Sequence, residues 1–345
     1  MNQEENMGND GFINGRIILV HKERYIVQTQ GKLELDAEIT GNLRFTAQKP
    51  DDFPVVGDQV QLQVYDNLAI IHKILPRTSL IKRQHAGQSK EIQPIAANVN
   101  VAFIMQAVDR DLNINRLERY QILCEEAGVD SVVVLTKSDL MDEQSLSQIC
   151  EMIKKRMRNI PVFILSNQTR FGYEDIEKFI EKDKIYCLLG SSGVGKSTFL
   201  NNLTGASVMK TNTLSNSTSK GKHTTTHREL VFLQNGGMII DNPGMREVGM
   251  AGDNSAVEKT FDLIDELADH CRFKDCTHTN EKGCKVLEAL NKGEIEEGYY
   301  ENYLRLRKEM DYFESSLMER KQKDKAFGKM VKNVKKDLKQ IKPQR

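Results

Sequence analysis

Eight consecutive residues, Gly190, Ser191, Ser192, Gly193, Val194, Gly195, Lys196 and Ser197, satisfy G-x-x-x-x-G-K-[ST] in full, and Thr198 follows them. Backbone N–H groups of such a loop, with the helix start behind it, face phosphate oxygens; Lys196 reaches the outer two phosphates, and the Ser197 hydroxyl suits Mg2+. A second set, Thr136, Lys137, Ser138 and Asp139, closes an apolar run. The Asp139 carboxylate can accept from both N1–H and the exocyclic amine of guanine, a pair of donors adenine lacks, while the Lys137 stem packs along the base and can tie back to the phosphate loop. Ser166 and Asn167 fall where a second base-contacting loop would lie. Asp241-Asn242-Pro243-Gly244 offers a carboxylate to hold Mg2+ through water and, at Gly244, an N–H to sense a terminal phosphate. An Asn-Pro-Gly turn is the plainer reading of the same residues.

Between the last two sets lies GKHTTTHRE, in which Thr224, Thr225 or Thr226 can complete a Mg2+ shell. Its lead-in, Lys210 to Lys222, reads as a mobile segment. Many GTPases place a water-orienting Gln after the DxxG glycine; Met245 and Arg246 stand there instead, so hydrolysis by the chain alone should be slow. His223, beside the threonines, is the in-chain candidate to orient the water, with a surface histidine as the alternative.

Four further residues form a separate constellation. Cys271-x4-Cys276-x-His278-x5-Cys284 supplies three thiolates and an imidazole within fourteen residues. Four soft ligands suit tetrahedral Zn2+ in a closed, structural site; an iron–sulfur set is the other metal reading. The remaining cysteines are scattered in apolar segments, which fits a reduced compartment rather than a disulfide framework.

Elements must hold these residues in place. From Asn98 onward, apolar strand and amphipathic helix alternate: NVNVAFIMQAV, INRLERYQILCEEAG, SVVVLTKSDL, SLSQICEMIKKRMRN, IPVFILS, YEDIEKFIEK, IYCLLG. This predicts a parallel sheet with helices on both faces, ligands sitting beyond the carboxyl ends of the strands. On the helix after Asn113, Leu117, Tyr120, Ile122 and Leu123 are expected on one side. Residues 12–76 read as five or so short strands broken at His21 to Arg24, Gly57-Asp58 and Asp66-Asn67, a small barrel for which an OB-fold is the candidate and an SH3-like barrel the alternative. After Gly252 the chain turns helical and charged. The expected division is a flexible N-terminus over 1–11, a barrel over 12–76, a nucleotide-binding α/β domain over 77–250, and a helical zinc-binding domain over 251–345 ending in a basic tail.

Charge narrows the partners. Lys plus Arg equals Asp plus Glu at 49 each, so only local clusters can attract a polyanion. Lys321 to Arg345 holds ten cations against Asp324 and Asp337, which points to salt-sensitive RNA contact, a solvated face being the alternative. The polar start MNQEENMGNDGF is unlike a signal peptide and no apolar run reaches the ~18 residues of a membrane span, so a cytoplasmic monomer is expected.

The order of the motifs is unusual. In ordinary small GTPases the phosphate loop precedes [NT]-K-x-D; here TKSD comes first, as in a circularly permuted domain. With this order, GKHTTTHRE, DNPGMRE and CRFKDCTHTNEKGC, the chain resembles the ribosome small-subunit-dependent GTPase A family, RsgA or YjeQ; LPRTSLIKRQ and IAANVNVAFIM match its linker and first strand. The resemblance implies an N-terminal OB-fold, a permuted GTPase domain and a C-terminal zinc domain. It also implies a late role in maturation of the small ribosomal subunit and its rRNA, with GTP hydrolysis to GDP stimulated by that subunit. On it, Thr136–Asp139 and Gly190–Thr198 contact GTP, Cys271, Cys276, His278 and Cys284 bind zinc, and His223 is the switch histidine. Asn242 stands where the family more often has Thr, and SNQTRFG departs from its second base loop. An RNA-binding scaffold with nucleotide as a conformational ligand, an ATPase or kinase, and a zinc hydrolase are the competing readings; Asp139 argues against the second and the full ligand set against the third.

Overall fold

The structure is a computed structural model that describes residues 11–21, 24–66, 68–84, 92–109, 112–205, 228–242, 249, 254–312 and 319. Its first part is a closed barrel. Strands β1 (Ile13–His21), β2 (Arg24–Thr29), β3 (Glu34–Ile39), β4 (Gln59–Tyr65) and β5 (Leu68–Ile74) run in the order β1-β2-β3-β5-β4, and β4 pairs back onto β1. Alternation dictates the closure: Tyr25 and Val27, Leu35 and Ala37, Val60 and Leu62, Ala69 and Ile71 point inward into one core with Ile17. A short helix α1 (Gly41–Thr46), capped by Thr40, bridges β3 towards β4, while β3 and β5 pair in parallel. This Greek-key closure is that of an OB barrel, not an SH3-like one.

Arg77, just beyond β5, holds the exit from the barrel in place. Its guanidinium forms two 2.7 Å bonds to fully buried Asp58 and donates to the carbonyls of Asp51 and Phe53. What reads in the sequence as linker then forms a hairpin, β6 (Leu80–Gln84) with β7 (Ile92–Ala97), whose Ile81, Ile95 and Ala96 join the core of the following sheet.

That sheet is built from β8 (Val101–Ala107), β9 (Asp130–Thr136), β10 (Val162–Ile164), β11 (Ile185–Leu189), β12 (Arg228–Phe232) and β13 (Met238–Asp241), in spatial order β10-β9-β8-β11-β13-β12. Every residue of β8 and β11 is buried, because helices cover both faces. Ala102 and Ile104 enter one apolar layer; Phe103 and Met105 enter the other, where Phe103 stacks on Tyr186. The covering helices are α2 (Ile114–Ala127), α3 (Glu143–Arg156), α4 (Tyr173–Phe179) and α5 (Lys196–Thr204). The expectation of a parallel sheet holds for β8 to β11 and β13 but not for β12, which joins β13 through a tight turn at Leu233 to Gly237 and so must run antiparallel.

Two features were not legible in the strand pattern. β12 also pairs with β1, Leu19 opposite Glu229 and Val20 opposite Arg228, so barrel and α/β sheet are one continuous eleven-stranded sheet. The segment NSAVEKTFDLIDELADH is two helices, α6 (Asn254–Thr260) and α7 (Asp262–Ala268), broken at Phe261, whose ring anchors the C-terminal core. That core is completed by α8 (Lys285–Asn291) and α9 over 297–312. No helix among the described residues is long and apolar enough to cross a membrane.

Candidate nucleotide site and metal centre

The sheet reverses its winding between β8 and β11, and the three predicted loops converge beyond the carboxyl ends of the strands there. β11 runs into the phosphate loop, which needs Gly190 at φ 150° and Gly195 at φ 99°. A side chain at either would also collide: a Cβ at Gly190 would lie 2.5 Å from the Met105 carbonyl, and one at Gly195 2.4 Å from Asn167 Nδ2.

Side chains from other elements pin the loop. Thr136 Oγ1, at the end of β9, donates to the Val194 carbonyl at 2.7 Å. Asn167 Nδ2 donates to the Gly195 carbonyl at 3.1 Å, and Asn167 is itself held by Tyr173 and Asn202. Ser166, almost fully buried, donates its hydroxyl to Asp139 Oδ1. The less regular second loop therefore meets both the base reader and the phosphate loop. Lys137 differs from expectation: its Nζ pairs with Asp109 at 2.6 Å, and the tie from TKSD to the phosphate loop is made by Thr136 instead. Lys137 takes φ 61°, so its side chain leaves in a different direction from that of an extended residue.

Lys196 lies under the loop with Nζ 2.8 Å from the carbonyls of Gly190 and Ser191. Burial pulls its pKa down to about 8, only partly offset by Asp241; burial likewise pushes Asp241 up to about 6, partly offset by Lys196. Asp241 Oδ1 is buried with no hydrogen-bond partner among the described residues. Such an orphaned acceptor beside the loop fits a Mg2+ hydration shell, which Asp241 and Ser197 would hold. The neighbouring Asn242 donates to Cys187 Sγ at 2.9 Å, away from this acceptor. His223, Thr224 to Thr226, Gly244, Met245 and Arg246 lie outside the described residues, as do residues 1–10, Lys210 to Lys222 and the basic tail.

One contact had no motif to announce it. Arg116, in the first turn of α2, donates from Nη1 to Ser191 Oγ at 2.7 Å. The signal available in the sequence was only its place two residues into a helix that follows a sheet strand at the site edge.

In the C-terminal unit, one ligand atom from each of Cys271, Cys276, His278 and Cys284 lies within 4.8 Å of the others, and this cluster can hold a metal ion. The spacings suit one tetrahedral ion. Cys271 Sγ is 3.9 Å from Cys284 Sγ, and His278 Nδ1 is 3.7 and 3.5 Å from those sulfurs. Metal–sulfur and metal–nitrogen bonds of tetrahedral zinc length give edges of about 3.8 and about 3.6 Å. Two backbone N–H groups, of Lys285 and Leu287, donate to the sulfurs of Cys271 and Cys284, stabilising thiolate charge. Burial lowers the His278 pKa, which favours the neutral imidazole a ligand requires.

A phosphate loop on a central strand, a guanine-type carboxylate two strands away, and a chain that reaches the sheet through β8 rather than β11 define a circularly permuted GTPase. The RsgA GTPase family model matches residues 74–251. Over 325 residues the chain is 41% identical to Small ribosomal subunit biogenesis GTPase RsgA 1 of Bacteroides thetaiotaomicron, covering 93% of this chain and 90% of that one. Small ribosomal subunit biogenesis GTPase RsgA of Methanosarcina acetivorans is 37% identical over 330 residues, 94% of this chain and 87% of that one. Among solved structures, YjeQ from Thermotoga maritima superposes with a TM-score of 0.64 at 25% identity over 87% of this chain and 98% of its own. YloQ, described as a circularly permuted GTPase, gives 0.65 at 24% identity over 90% and 98%. The chain belongs to the RsgA GTPase family and is a GTPase.

Proposed function

We propose that this GTPase acts in biogenesis of the small ribosomal subunit, that the subunit stimulates its hydrolysis of GTP, and that barrel, zinc unit and basic tail grip rRNA. The observation that supports the reading is that Thr136 and Asn167 bond the loop Gly190 to Thr198 while their neighbours Asp139 and Ser166 bond each other beside it, an arrangement suited to a guanine nucleotide. In it Thr136 to Asp139 bind the base, Gly190 to Thr198 the phosphates, and Ser197 and Asp241 the Mg2+. Thr224 to Thr226 and Gly244 form the switch. His223 orients the attacking water. What supports RNA contact by the barrel is its wet aromatic and apolar surface, with Phe45 89% exposed and Tyr65 58% exposed, side chains on which bases can stack. Zn2+ is the metal that the Cys3His donor set and its spacing favour, and its role is structural because four protein ligands leave no position for water. The protein works as a cytoplasmic monomer in this reading.

Turnover of GTP with purified small subunits, large subunits and neither tests it. A rate raised only by small subunits is expected, and an unchanged rate overturns the stimulated hydrolysis. His223→Ala should lower the stimulated rate by about 100-fold while leaving GDP affinity intact, the range of a lost general acid–base group; an unaltered rate removes His223 from catalysis.

A further inference from the structure

The phosphate loop is held at three successive points by side chains from three elements. Two of these, Thr136 on Val194 and Asn167 on Gly195, come from the base-reading loops. The third, Arg116 on Ser191, comes from α2, which belongs to no nucleotide motif. Ser191 is almost fully buried and its carbonyl is one of the two that receive Lys196 Nζ. Lys196 addresses the outer phosphates, so the end of the loop that Arg116 holds is the end where charge moves during hydrolysis.

α2 is also the helix most firmly fixed to the C-terminal unit. Three residues after Arg116, Arg119 forms a bidentate pair with Glu309 of α9 at 2.7 and 2.6 Å. Glu118, wholly buried, accepts from Arg156 of α3 twice at 2.8 Å and from Asn302 of α9. Ile122 lies in the core of the C-terminal helices, while Leu117, Tyr120 and Leu123 lie in that of the sheet. The start of α2 is fixed as well, since Asn113 Oδ1 caps it by accepting from the Arg116 N–H at 3.0 Å. α2 is one capped helix of fourteen residues, so Arg119, which meets α9, and Arg116, which meets the loop, lie on a single continuous element.

We propose that Arg116 is a positioning residue for GTP hydrolysis, acting through Ser191 on the opening turn of the phosphate loop, and that α2 makes this hold depend on where the C-terminal helices sit. The inference rests on the nucleotide-site reading above but not on small-subunit stimulation, so its experiment uses the full-length protein alone.

Single-turnover GTP hydrolysis and the Kd for fluorescent GDP are measured for Arg116→Ala, Arg116→Lys, Ser191→Ala and the Arg116→Ala/Ser191→Ala double variant, with thermal melting alongside. Arg116→Ala should lower the rate constant about tenfold or more, the scale on which misplacement of a reacting group is felt, while changing GDP Kd less than about threefold. Lys should restore part of the rate, and the double variant should fall by less than the product of the singles. An unchanged rate, a loss confined to GDP affinity or melting, or independent effects in the double variant overturns the positioning role. Should Arg116→Ala not fold, Arg116→Lys and Ser191→Ala decide the matter: normal rates in both overturn it. For the link to α9, Arg119→Ala should slow hydrolysis in the parent and by a smaller factor in the Arg116→Lys background. An equal fold-loss in both backgrounds, or none in the parent, overturns that link.

Discussion

Ser166 donates its hydroxyl to Asp139 Oδ1 and so fixes the plane of that carboxylate, through which it would act on guanine in the reading proposed above. Ser166→Ala should therefore weaken GDP binding by about 1 kcal/mol, roughly fivefold, the worth of one such hydrogen bond, as read by equilibrium titration with fluorescent GDP. Lys196→Ala should abolish binding in the same titration. The buried pair Lys196 and Asp241 also gives the nucleotide-free protein a dependence on pH. Asp241 has its folded pKa raised to about 6, so its favourable contribution is complete below the ordinary carboxylate range and is lost as pH rises through about 6. The stability of the nucleotide-free protein, followed by thermal melting, should fall across that window by on the order of 3 kcal/mol. Asp241→Asn should flatten this part of the profile, and an identical profile in the variant would refute the assignment. Lys196, lowered to about 8, acts in the opposite sense and loses its contribution as pH falls through that value. Asp139, Lys196 and the cluster Cys271, Cys276, His278 and Cys284 were legible from residue type and spacing, because each belongs to a short motif whose chemistry is local. Arg116 was not, since an arginine in the first turn of a helix is ordinarily a solvated charge.

At the scale of elements, α2 shows how a helix can be read correctly and still be half understood. Leu117, Tyr120 and Leu123 face the sheet as expected, but Ile122, expected on the same side, lies in the C-terminal core instead, because the helices of that unit cover a second face of α2. Glu118 explains why that second face is not legible as apolar: its carboxylate is buried in the contact, and burial raises its pKa despite Arg156 and Asn302 beside it. A folded pKa above the unfolded one means stability that is present at acid pH and lost as pH rises through the folded value, so the charged pair costs stability near neutrality. Removing only one partner costs more, because the other charge then stays buried alone. Arg156→Met should destabilise by about 3–5 kcal/mol in chemical denaturation, and Glu118→Leu added to it should recover much of that loss. Additive losses would show that the pair is not coupled as its geometry requires. The hairpin β6–β7 and strand β12 escaped the sequence reading for a related reason: both are short and polar in part, and become strands by pairing with neighbours distant in the chain.

At the scale of the molecule, one continuous sheet carries the barrel into the GTPase core, with β1 paired to the start of β12 immediately after the segment holding His223 and Thr224 to Thr226. The C-terminal unit is organised differently, around a small core into which Cys276 and Cys284 are themselves packed. A metal there is part of the folding energy rather than an addition to it. In the reading proposed above, one equivalent of zinc should be released by a strong chelator, with loss of helical circular dichroism from the C-terminal unit, and Cys276→Ser should bind less metal and lose the same signal. Retained helicity after complete zinc removal would assign the fold of this unit to its apolar core alone. Because α9 carries Glu309 and Asn302 onto α2, loss of metal should also be felt at the nucleotide site.

The sequence by itself determined the chemistry, the family and the alternation of strand and helix, since phosphate loops, zinc ligands and amphipathic periods are written in residues a few positions apart. Only the tertiary structure decided that Thr136 rather than Lys137 ties the base reader to the phosphate loop, that β12 joins the barrel to the GTPase sheet, and that Arg116 holds Ser191 while its helical neighbours hold α9. The reason is physical: a side chain's identity fixes what it can bond, whereas which partner it meets across 50 to 200 residues is fixed by packing, to which the whole chain contributes.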